Sequence, residues 1–131
     1  PGLRLLQVNA EAGSQQYRVH TVAEQLEVAG IEHRFLNLNR IYEDPEAAAR
    51  QFARASIIVF HRVAYDSLLA ELCSEARREG AVLVYETDDL VFWPDIDPRW
   101  VDGLRYLGKH EIPLYYEGVE RYRRMMLLCR P

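Results

Sequence analysis

The stretch from Ala81 to Pro94 constrains this chain more than any other. Val82-Leu83-Val84-Tyr85 is an unbroken β-branched and aromatic run that stops at Glu86-Thr87-Asp88-Asp89, three carboxylates in four residues. A run of that kind reads as a strand of a parallel sheet covered on both faces. In open α/β sheets ligands bind beyond the carboxyl ends of the strands, which makes the acids that end this run site candidates. The competing reading is local: Asp88 or Asp89 caps a turn or a helix start, as Asp commonly does.

Upstream, the same rhythm repeats. Leu3 to Val8 reads as a first strand, and helical spacing follows at Tyr17, Val22, Leu26 and Ala29, with Gly30 as stop. Ile31 to Leu38 alternates and reads as a second strand. Asp44-Pro45 opens an Ala-rich helix to about Ala55, with Asp as cap and Pro at the first helical position. Ser56 to Phe60 is a third, buried strand. Tyr65 to Glu79 places Leu68, Leu69, Leu72, Cys73 and Ala76 on one helical face, and Gly80 closes it. Strand and helix alternating at these spacings predict parallel pairing through crossover helices. The expected fold is a three-layer α/β Rossmann-like domain, residues 1–131, with strand order 3-2-1-4 and a fifth strand incomplete or missing. Past Pro94 the rhythm breaks, and a last helix is predicted over Pro113 to Leu128.

Composition narrows the function classes. A formal net charge of −4 argues against nucleic acid as the main partner. Arginines crowd two places, Arg77-Arg78 and Arg121, Arg123, Arg124 and Arg130. They read first as solvated faces, with a local anion-binding or peripheral membrane-surface patch as the alternative. Cys73 and Cys129 lack metal-ligand spacing and read as buried thiols in a reducing compartment. No signal peptide or membrane-length apolar run is present, so a cytoplasmic location is expected.

The first loop carries one glycine, Gly13, so the dinucleotide fingerprint is absent and no nicotinamide or flavin cofactor is expected. Gly13-Ser14 still opens a helix whose free N–H groups suit a phosphate, or Ser14 simply caps it. Tyr17 and Arg18 follow one turn later, within reach of a ligand at the strand ends. His61-Arg62 ends the third strand and supplies side chains that bind anions or carry protons.

Tyr17-Arg18-Val19-His20 through Gly30, Ser56 through Val63, and Val84 through Pro94 together resemble the amino-terminal half of a family 4-type glycosyltransferase of the GT-B fold. The resemblance implies an acceptor-side domain of a retaining, nucleotide-sugar-dependent enzyme, inactive without a carboxyl-terminal domain that holds the donor. It implies a nucleotide-sugar co-substrate, an acceptor hydroxyl and no metal. Gly13 and Ser14 would approach the donor phosphates. Asp88, Asp89 and His61 would be the catalytic candidates, with Tyr17, Arg18, Arg62 and Glu86 lining the cleft.

Two rival classes remain. Glu86-Thr87-Asp88 and Asp95-Ile96-Asp97 have acid-x-acid spacing, which in a GT-A-like domain would hold Mg²⁺ or Mn²⁺. A non-enzymatic flavodoxin-like interaction domain is the other; a receiver is disfavoured because Asn9-Ala10-Glu11 and His61-Arg62 stand where its acids belong. Open strand edges and uncovered apolar surface also favour a homodimer.

Overall fold

Strand β1 (Arg4–Asn9) lies at the centre of a parallel sheet because it is apolar enough to be flanked on both sides. The computed structural model describes residues 2–10, 23–87, 93–95, 97–100 and 104–131. After β1 the described chain continues with helix α1, described over 23–28, then β2 (Glu32–Asn37), α2 (Leu38–Glu43) and α3 (Pro45–Arg54). Next come β3 (Ile57–His61), α4 (Ser67–Arg78), β4 (Val82–Glu86), a 3₁₀ turn at Pro98–Trp100 and α5 (Glu111–Leu128).

The four strands run in the order β2-β1-β3-β4, all parallel. The order expected from the alternation, 3-2-1-4, is therefore wrong in one respect: β3 pairs with β1, and β2 is an edge. The physical reason is in the residues. β3, Ile-Ile-Val-Phe-His, has little to offer water, whereas β2 begins Glu32-His33-Arg34 and is mostly exposed. Charged side chains are tolerated on an edge and protect it from pairing with other chains. The arrangement is the doubly wound order whose crevice opens between β1 and β3.

One face of the sheet carries the core. Alternate residues Leu6 and Val8, Leu36, Ile58 and Phe60, and Leu83 point to the same side. There they meet Ile41 of α2, Phe52 of α3, Leu69 and Leu72 of α4, and Met125 of α5. Phe52 and Phe60 set the density of this layer, with ring centroids 6.0 Å apart and the rings tilted by 57°. The opposite face differs. It carries Gln7, Asn9 and His61, all buried and polar, while Val82 and Val84 of β4 stay exposed. Strand β4 is thus covered on one face only, not on both as its apolar run suggests.

Helix ends follow their residues. Asp44 caps α3 by accepting from the Ala47 N–H at 3.1 Å, and Asp66 caps α4 by accepting from Leu68 at 2.8 Å. Gly80, at φ +97°, ends α4, and its N–H and that of Ala81 bond back to Arg77 and Ala76. α2 is a short helix that alternation along Ile31 to Leu38 does not reveal; Asn37 starts it, accepting from the Asn39 N–H. α5 begins two residues before Pro113, which then sits in the first turn where no N–H is needed.

Two of the arginines that crowd the last helix, Arg121 and Arg124, serve docking. The Arg121 guanidinium donates to the Tyr65 carbonyl at 3.2 and 3.0 Å, and Arg124 lies 3.8 Å over the Tyr65 ring. From α4, Arg77 donates to the carbonyls of Leu128 and Arg130 at 2.8 and 3.1 Å, which satisfies the end of α5. At the same junction Cys73 and Cys129 are free and buried. Burial pushes the Cys73 thiol up to about 12 and the Cys129 thiol up to about 11. No described helix is long and apolar enough to cross a membrane.

Candidate functional site

Register across the sheet places Asn37, Asn9, His61 and Glu86 side by side, because each is the last residue of its strand. In parallel strands such partners project to the same face. Four polar residues therefore form a row along the carboxyl edge of the sheet, across the β1–β3 crevice. Asn37 is occupied as the cap of α2. The other three form the candidate site.

Asn9 and His61 are 1% and 3% exposed, yet Asn9 Nδ2 and His61 Nε2 have no hydrogen-bond partner among the described residues. Leaving a buried polar group unpaired costs on the order of 1–3 kcal/mol each, so such atoms are few in folded proteins; a third, Tyr85 Oη, lies on the core face of β4, away from this row. Asn9 and His61 are on neighbouring strands at the crevice.

A polar chain behind Asn9 engages one end of its side-chain amide. His33 Nε2 lies 3.3 Å from Gln7 Oε1, and Gln7 Nε2 donates to Asn9 Oδ1 at 3.4 Å. Since Gln7 uses its amide nitrogen on Asn9, its oxygen accepts from the Nε2–H tautomer of His33. Burial lowers the His33 pKa, which favours that neutral form. With Asn9 Oδ1 thus engaged, its NH₂ group is what remains, and it is a donor.

His61 is held from the other side. Its Nδ1 is 3.6 Å from Glu86 Oε2, too long for a hydrogen bond but close enough for the carboxylate to favour a proton on Nδ1. In the tautomer with its proton on Nδ1, the ring presents the lone pair of Nε2. Asn9 offers a donor and His61 an acceptor, side by side. A hydroxyl group, which accepts through its oxygen and donates through its proton, complements both at once.

The loop after His61 is anchored rather than loose. Arg62 has a left-handed backbone (φ 51°), and its N–H donates to the Glu86 carbonyl at 2.9 Å, tying β3 to the end of β4. A bulky residue in that region is strained and persists where the surroundings impose it. Val63 then enters the core, and Tyr65 is gripped by Arg121 and Arg124. His61 is therefore positioned by a clamp that reaches to α5.

Of the residues singled out from sequence, His61, Arg62 and Glu86 are brought together here. Asp88, Asp89, Gly13, Ser14, Tyr17 and Arg18 lie outside the described residues. Asn9 lies one residue beyond the first strand as read from Leu3 to Val8, and it is the last residue of β1. Its signal was a polar residue directly after a buried strand. Gln7 and His33 carried no such signal, since strand alternation alone accounts for them. Asp97, one acid of the second acid-x-acid pair, is engaged by Arg99, whose Nε donates to both carboxylate oxygens at 3.0 Å. These hydrogen bonds hold the Asp97 carboxyl below the usual carboxylate range. Among the described residues no group of three or more His, Cys, Asp or Glu side chains is arranged to hold a metal ion.

Comparisons with protein-family profiles, with characterised proteins and with solved structures each give no match to this chain.

Proposed function

We propose that this chain is the amino-terminal, acceptor-side domain of a nucleotide-sugar-dependent glycosyltransferase that passes a sugar to a hydroxyl group. The observation that carries the reading is the unpartnered pair of Asn9 Nδ2 and His61 Nε2 at the β1–β3 crevice. Both atoms are buried, so an acceptor hydroxyl reaches them only by opening the surface that covers them, and it then accepts from Asn9 and donates to His61. Its oxygen then attacks the anomeric carbon, the bond from that carbon to the diphosphate breaks with the electron pair leaving on the phosphate oxygen, and the hydroxyl proton passes to His61 Nε2. Most of the rate comes from holding the hydroxyl in line and stabilising charge on the sugar and the leaving diphosphate. Asp88 and Asp89, which follow β4 in sequence after Thr87, are proposed to face the same cleft, with Gly13 and Ser14 near the donor phosphates and Tyr17, Arg18 and Arg62 along its wall. The donor is held by a second domain, and the chain alone does not turn over.

Saturation-transfer NMR of the chain with simple glycosides tests the acceptor half of this reading. Binding that disappears in Asn9→Ala and in His61→Leu supports it. In the intact enzyme, Asp88→Asn and Asp89→Asn are expected to abolish transfer. Wild-type transfer rates in both variants would reduce the acids to turn caps.

The strand order β2-β1-β3-β4 favours one second reading, a flavodoxin-like interaction domain without chemistry. Absence of glycoside binding, together with absence of transfer by the intact protein from any nucleotide-sugar, would select that reading.

A further inference from the structure

At the opposite end of the sheet, a cavity of about 290 Å³ opens between the first residues of β1 and β2 and the outer half of α3. Its wall includes four arginines, Arg4, Arg34, Arg50 and Arg54, and a single acid, Glu32. Arg4 and Asn9 are the first and last residues of β1, so about 16 Å of strand separates this cavity from the polar row. The two are different places.

The charge arrangement is unusual for a chain of formal net charge −4. Glu32 is shared: Arg4 Nε lies 3.5 Å from one of its oxygens and Arg34 Nε lies 3.1 Å from the other. Arg50 and Arg54 have no ion-pair or hydrogen-bond partner among the described residues. They are four apart on α3 and so stand on the same helical face, where like charges repel. Arg54 stands in the last turn of α3, where a cation is favoured, but that does not account for four arginines converging on one cavity wall. Beneath them Leu6 is buried and Ala47 and Ala55 line the wall, so part of the floor is apolar. Charge interactions over such a floor are screened less than on open surface.

We propose that this cavity is a binding site for a compact polyanion, one carrying two or more phosphate or carboxylate groups. Guanidinium groups match both kinds of oxyanion through paired, parallel N–H donors, and two unpartnered guanidiniums suit a ligand with at least two anionic groups. The cavity volume lies at the small end for ligand sites, which fits a diphosphate or a tricarboxylate better than a whole nucleotide. Gln51, between the two free arginines, adds an uncharged donor.

Isothermal titration calorimetry of the chain with inorganic pyrophosphate and, separately, with citrate tests this. One saturable site weakened by salt is expected for at least one anion. Pyrophosphate binding alone assigns the site to phosphates, and citrate binding alone assigns it to carboxylates. Arg50→Gln and Arg54→Gln are each expected to weaken binding by about tenfold or more. Both side chains are exposed, so the fold is retained. Glu32→Gln is expected to act in the opposite direction and tighten binding, since it removes the only negative charge in the wall. Absence of saturable binding by either anion overturns the proposal, and so does an affinity that neither arginine substitution changes.

Discussion

Tyr65 and Arg121 are joined in both directions: the Tyr65 N–H donates to the Arg121 carbonyl at 3.0 Å, and the Arg121 guanidinium donates back to the Tyr65 carbonyl. A helical carbonyl and a side chain from the same residue thus hold one loop residue four positions after His61. Arg121→Ala is expected to destabilise the chain by about 1–2 kcal/mol, as loss of charged hydrogen bonds at a partly exposed site does. Arg123→Ala, two residues along on an exposed position, should change stability by no more than about 0.5 kcal/mol. Urea denaturation of both variants checks the contrast; equal effects would mean that the clamp contributes nothing beyond helix propensity.

Replacing His61 with leucine should stabilise the chain. The substitution removes a buried, unpaired nitrogen and fills the space with apolar atoms, at the loss of a weak contact to half-exposed Glu86. A gain of about 1 kcal/mol is expected, together with loss of glycoside binding. A destabilisation of similar size would instead make the imidazole a structural member of the sheet edge.

Phe52→Ala should be the most damaging single change in the core. The ring is 1% exposed and packs on Phe60 beneath the sheet. Truncation of a buried aromatic costs about 3–5 kcal/mol, largely through the cavity left behind. Differential scanning calorimetry measures it; a cost below about 1 kcal/mol would mean that the α3 layer collapses to fill the gap.

His33 makes stability depend on pH in a stated direction. Burial lowers its folded pKa below the ordinary 6.5. The unfolded chain therefore binds the proton more readily, and the stability contributed by neutral His33 is complete above 6.5 and lost as pH falls toward the folded value. Protonation also breaks the logic of the chain behind Asn9 only weakly, since Nε2 is a donor in both forms. His33→Gln should flatten the fall in urea midpoint on that acid side of 6.5. An unchanged slope would place the titration elsewhere.

Much of this fold was legible from periodicity. β1, β3 and β4 declared themselves as apolar runs, and Asp44-Pro45 and Gly80 fixed one start and one stop within a residue or so. Pairing order was not legible, because alternation describes the faces of a strand and says nothing of its neighbours. The charges of β2 held the clue, since Glu32 and Arg34 belong at an edge. α2 was hidden because six residues give too little helical repeat to register. In the site, His61 and Glu86 stood out as polar ends of apolar strands. Asn9 had the same position but merged with the polar loop after it, and the orphaned state of its amide is a property of packing that no spacing encodes.

The two free thiols at the α4–α5 junction turn the seating of the last helix into a chemical clock. Cys73 and Cys129 are shielded, and their raised pKa values leave almost no thiolate at neutral pH. An alkylating reagent can therefore label them only in the moments when α5 lifts away and Arg77 releases the carbonyls of Leu128 and Arg130. The labelling rate reads how often that happens. Since the same helix grips Tyr65, it also reads how often His61 loses its support.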